Sequence, residues 1–117
     1  MSKSLLGAWR KASVAEDRDI PDIIKKLLSE GMHSHIVILV FLYKAGKATL
    51  SDIQRALTGG RYRAQYNWTM GIINELKQMG LIYEEPPIQV KKLKVRLFDL
   101  TEKGRKIAEK LSDILSI

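Results

Sequence analysis

Between Lys47 and Ile82 the chain reads KATLSDIQRALTGGRYRAQYNWTMGIINELKQMGLI, which sets two short helical patterns back to back around a glycine-rich turn. Leu50, Ile53, Ala56 and Leu57 make one apolar face, and Thr69, Ile72, Ile73, Leu76 and Met79 make the next, each at the three- and four-residue spacing of a buried helical stripe. Thr49 followed by Asp52 has the form of a capping pair, and Gly80 stands where a helix ends in a left-handed residue.

With Thr69, Ile72, Ile73 and Leu76 turned inward, Arg63, Asn67, Met70, Gly71 and Asn74 fall on the outer face of the second helix. That face is polar and carries no acid. Arg and Asn can make bidentate contacts to guanine and adenine edges, and Gly71 would let a backbone approach closely. An ordinary solvated face could carry the same residues. The net charge of +7 favours a polyanionic partner, without saying anything of the fold.

The segments before this pair read as helices. Asp19–Gly31 has Pro21 for a first turn, acids Asp19 and Asp22 at its start, and a stripe of Ile20, Ile23, Ile24, Leu27 and Leu28. The run IVILVFLY within Ser34–Lys44 fits either a strand or a deeply buried helix. A helix capped by Ser34 is expected, because Lys44 and Ala45-Gly46 suit a helix end and the two later helices need a central one to pack on. His33 and His35 have no acid or cysteine at ligand spacing, so they are assigned no metal.

After Gly80 the pattern becomes extended. Leu81–Tyr83 reads as a strand, Glu84–Lys92 as a loop with Pro86-Pro87, and Leu93–Leu100 as a returning strand. From Pro86 to Phe98 there are four bases, Lys91, Lys92, Lys94 and Arg96, and no acid. Such a hairpin can straddle a phosphate backbone or reach a minor groove, although lysines also guard a strand edge against aggregation. Thr101–Ile117 carries Ile107, Leu111 and Ile114 in an alternating four-three pattern beside Leu115, the seam of a helix that packs on another. Tyr62 and Tyr66 fall on the side of Thr69 and Ile73, which suggests packing, and Trp68 lies on the flank.

Two stretches, ELKQMGLI (Glu75–Ile82) and FDLTEKGRKIAEKL (Phe98–Leu111), make the chain resemble the winged helix-turn-helix transcription regulators of MarR and PadR type, over about Ser34–Leu111. The resemblance implies a mainly α fold with a small β-hairpin, a homodimer, and a double-stranded DNA partner with one recognition helix per half-site. By position, base readers would be Arg63, Gln65, Asn67, Met70, Gly71 and Asn74, and wing contacts Lys91, Lys92, Lys94 and Arg96. The connection after Leu57 is longer than in the usual motif, either by insertion of Thr58–Tyr62 or by an extra helical turn. That adds Arg61, Tyr62 and Tyr66 to the candidates.

A winged domain over residues 19–117 is expected, with 1–18 a short helix or extension. The dimer contacts would come from Leu5 and Trp9 there and from Ile107, Leu111, Ile114 and Leu115. The chain has no cysteine, and neither a catalytic constellation nor a cofactor motif is legible, so no enzyme activity, metal or cofactor is expected. No apolar run approaches the ~20 residues of a membrane span, and a cytoplasmic, nucleoid-associated protein is expected. The other readings are a partition or architectural DNA-coating protein and a winged helix used only to bind protein. The operator, the sign of regulation and any small-molecule effector are not encoded legibly.

Overall fold

The computed structural model describes residues 18–117. Helix α1 covers 18–29 and buries Ile20, Ile24 and Leu27, while Leu28 stays partly exposed; Gly31 then turns the chain at φ +64°. The IVILVFLY run is helical. It forms the middle of α2 (His33–Ala45), whose Ile36, Ile38, Leu39, Val40 and Leu42 are all buried. Such a helix is apolar on most sides because it is surrounded: α2 packs most extensively on the last helix and also touches the two helices of the turn-rich stretch. One expectation fails here. Ser34 lies inside the helix, and the N-cap is Met32, with no side-chain cap.

A two-residue strand β1 (Ala48–Thr49) leads into α3 (Leu50–Ala56). The expected capping box closes, with the Asp52 amide donating to Thr49 Oγ1 at 3.1 Å and the Thr49 amide to Asp52 Oδ2 at 3.3 Å. Residues 57–65 are an inserted turn, which resolves the alternative of a longer helix. Its glycines Gly59 and Gly60 adopt positive φ, and it is held from beneath by buried Gln54. The Gln54 carboxamide donates to the Ala64 carbonyl at 2.8 Å, and the Ala64 amide donates back to the Gln54 carbonyl at 3.0 Å.

Helix α4 (Tyr66–Gln78) buries Thr69, Ile72, Ile73 and Leu76, the stripe read from the sequence. The Thr69 hydroxyl is satisfied by donating to the Gln65 carbonyl at 2.8 Å. Gly80, at φ +74°, ends the helix. Strands β2 (Ile82–Glu84) and β5 (Leu97–Leu100) pair antiparallel, with β1 on the far side of β5, in the order β1-β5-β2. The expected Glu84–Lys92 loop is too long. Beyond Pro86-Pro87 the chain forms a second ribbon, β3 (Ile88–Val90) and β4 (Leu93–Val95), turning at Lys91-Lys92.

Helix α5 (Glu102–Leu115) starts on a cap in which the Gly104 amide donates to Thr101 Oγ1 at 3.0 Å. The run Leu100-Thr101-Glu102-Lys103-Gly104, where β5 enters α5, has a packing reason. The Thr101 amide and hydroxyl donate to the carbonyls of Leu81 and Gly80 at 3.0 and 2.6 Å, which draws the first turn of α5 onto the end of α4. Gly104 then lies against Leu81, where an added Cβ would stand 1.8 Å from the carbonyl oxygen. Phe98, Leu27, Leu39, Leu42, Ile73, Leu76 and Leu111 are among the fully buried side chains at the centre of the core.

Candidate nucleic-acid interface

At about 3.6 residues per turn, burying Thr69, Ile72, Ile73 and Leu76 leaves Asn67, Gly71, Asn74 and Gln78 as the outermost row of α4. All four are exposed, and Gln78 was not singled out from the sequence although the same periodicity implies it. Arg61, Tyr62 and Arg63 are exposed on the inserted turn, and Gln65 is the exposed N-cap residue. Packing of Tyr62 is not found: it is 67% exposed, because it precedes the helix instead of lying on its inner face. Tyr66 is 51% exposed for a different reason, since it sits at the side of the helix that meets the hairpin. Met70, on the same side, is partly buried.

The hairpin joins α4 through one salt-bridged knot. Arg96 donates to both Glu84 carboxylate oxygens, at 2.7 and 2.9 Å, and reaches Tyr66 Oη at 3.0 Å; Lys77 donates to the same carboxylate at 2.8 Å. Both cations also lie over the Phe98 ring. Hydrogen bonds from Arg96, then from Lys77, hold the pKa of the Glu84 carboxyl at about 2, and the bond to Glu84 raises that of Arg96. A group depressed in this way stabilises the fold above its ordinary pKa of 4.5 and stops doing so as pH falls toward 2. Acid should therefore loosen the hairpin from α4 over roughly pH 5 to 2. Thermal melts of Glu84→Gln should show a shallower decline across that window, with a loss of about 1 kcal/mol at neutral pH.

Arg96, expected at DNA, is thus engaged inside the protein, as are Lys77 with Glu84 and Lys47 with Glu85. Lys91, Lys92 and Lys94 are exposed and form no ion pair among the described residues. On the other flank of α4, His35 Nε2 lies 2.6 Å from Glu75 Oε2, so the nearest acid to the outer row is bound to α2. That contact joins residues forty apart in sequence, and spacing alone could not reveal it. Trp68 borders the same cleft beside His33 and His35.

The arrangement is a three-helix unit whose turn-rich pair meets a three-stranded sheet, from which a β-ribbon continues past the point where Glu84 and Arg96 meet α4. Solved structures share it. A MarR family regulator from Neisseria meningitidis superposes with a TM-score of 0.59 at 19% identity, over 99% of this chain and 73% of that one. The chain has the MarR-type winged helix fold. A PadR-like transcription factor from Bacteroides fragilis matches at TM-score 0.57 and 21% identity, over 80% of this chain and 88% of that one. BpsR of Bordetella bronchiseptica, whose DNA binding is regulated by 6-hydroxynicotinic acid, matches at 0.56 and 24%. That match covers 71% of this chain, which spans 58% of the length of BpsR. No protein-family model and no curated protein sequence matches the chain.

Within that fold α4 is the second helix of the turn-rich pair, and the β3–β4 ribbon extends the hairpin that gives the fold its wing. Gly71 is then conspicuous, because a Cβ built on it meets nothing within 4 Å and its φ is not positive. The fold itself does not need a glycine there, and a mid-helix glycine costs about 1 kcal/mol against alanine. Gly71→Ala should raise the stability of the free protein by about that amount in denaturant melts, while weakening any complex that needs the backbone close.

Of the expected dimer contacts, Leu5 and Trp9 lie outside the described residues. Ile107 and Leu111 are fully buried within the subunit, where α5 packs on α2. Ile114 and Leu115 remain 56% and 40% exposed. Ile114 shares an open groove of about 620 Å³ with Pro21, Ile24 and Leu28 of α1. A second open cleft of about 520 Å³ lies between α2 and α3, lined by Ile36, Val37, Val40 and Phe41 and rimmed by Asp52 and Arg55. Among the described residues no helix is long and apolar enough to cross a membrane, and no group of three potential metal ligands forms.

Proposed function

We propose that the protein is a cytoplasmic, homodimeric regulator of transcription that binds a specific double-stranded DNA site. The observation that carries this is the outer row of α4: polar, free of acid, and holding a glycine the fold does not use, together with a wing whose tip lysines form no ion pair among the described residues. Asn67, Asn74 and Gln78 would read base edges in the major groove over Gly71, with Arg63 and Arg61 at the start of the helix. Lys91, Lys92 and Lys94 would neutralise flanking phosphates, and Arg96 would position the wing from within. The exposed groove of α1 and α5 around Leu28 and Ile114 is the apolar surface best suited to a second copy, with Leu115 beside it.

Selection of bound duplexes from a random pool tests this reading. A two-fold repeated site, held about 10³-fold more tightly than random DNA, supports it. Uniform, salt-dependent affinity for every sequence would instead assign the same surface to an architectural coat.

A further inference from the structure

The wing has two unlike faces. Its register sets Ile88 opposite Val95 and Val90 opposite Leu93, so these four side chains share one face, while Gln89 and Lys94 share the other. Among the described residues the apolar face is left open: Ile88, Val90 and Leu93 are 49%, 48% and 72% exposed, and Leu93 is the most exposed large hydrophobic side chain there. A two-stranded ribbon bare on its apolar side is marginal in water, so a partner is expected to cover it.

Charge decides which partner. The ribbon carries Lys91, Lys92 and Lys94 with no acid from Pro86 to Phe98, so a second copy meeting it face to face would bring two lysine tips together. A polyanion has the complementary charge. Lys91 also occupies the first turn position at φ +57°, which two-residue hairpins usually give to glycine, so a cation stands at the tip despite an unfavourable backbone.

Resting on the DNA-binding reading above, we propose that the apolar face of the wing enters the minor groove, with Leu93 as a wedge at a base step. A β-ribbon is wider than the ~6 Å minor groove, so it enters only as the groove opens. Apolar insertion opens it by partly unstacking one step and bending the duplex toward the major groove, where α4 would lie. The lysines would hold the two phosphate strands at the rim. Part of the sequence preference would then come from how easily a step outside the major-groove contacts unstacks.

The test uses the full-length protein and the duplex recovered by selection, with 2-aminopurine placed in turn at each step flanking the half-sites and donor and acceptor dyes at the ends. Wild type should brighten 2-aminopurine at one step per flank and shorten the end-to-end distance. Leu93→Ser should abolish both and weaken binding about tenfold, without reordering base preferences inside the half-sites. Leu93→Met should retain the unstacking, and unchanged melting of both variants, expected at so exposed a position, reports an intact fold. A bound wild-type complex that stays stacked and straight overturns the wedge but leaves the DNA-binding reading standing. Equal unstacking by Leu93→Ser, or a variant that loses only copy-to-copy assembly on long DNA, also overturns it. Failure to retain any duplex in a salt-dependent way removes the DNA-binding reading itself.

Discussion

Leu111→Glu is expected to unfold the domain, not to release folded monomers. Leu111 is fully buried, on a helix whose chief packing partner is α2, and both helices supply the single core cluster. A carboxylate there loses its hydration in a core of apolar side chains, and the leucine contacts vanish as well. Together these exceed about 4 kcal/mol, a large share of the 5–15 kcal/mol that holds a domain of this size. Circular dichroism and sedimentation at micromolar concentration separate the outcomes. A folded, monomeric Leu111→Glu would move that side chain from the core to a subunit seam.

The second large effect is expected from one methyl group. Gly104→Ala puts a Cβ 1.8 Å from the Leu81 carbonyl oxygen and 2.8 Å from its carbon, both backbone atoms that cannot rotate away. Relief requires α5 to lift from the end of α4. That breaks the two bonds Thr101 makes to Gly80 and Leu81 and disturbs the β2–β5 pairing beside them. The expected cost is about 3 kcal/mol or more, at the upper end of overpacking, although alanine is otherwise the better helix former. Gly71→Ala gives the contrast: of two helical glycines, Gly104 in the first turn of α5 is required by the fold and Gly71 in the middle of α4 is not. Equal effects of the two substitutions in denaturant melts would contradict that distinction.

Local signals were legible in the sequence wherever the determining residues lie within one turn of each other. The Thr49–Asp52 box, Gly80 and the inward stripe of α4 all belong to this class. What stayed hidden depends on distant partners. Strand β1 is two residues long and exists only because Phe98 and Leu97 of β5 lie opposite it. Arg96 reads as one more wing cation until Glu84 and Tyr66, twelve and thirty residues away, are brought to its guanidinium. The spacing of Ile107, Leu111 and Ile114 is the same for a helix buried in its own domain and one at a subunit seam, and the structure buries the first two. Tyr62 was misplaced because the inserted turn, pinned by Gln54, breaks the helical phase before Tyr66.

Base reading by the outer row of α4 is open to a direct test. The most direct measurement compares the affinity lost by Asn67→Ala on the selected duplex with that lost on a scrambled duplex of equal length and salt. Base reading predicts a loss of about 1–3 kcal/mol on the selected site and little on the scrambled one. Equal losses on both duplexes, or none on either, would contradict it.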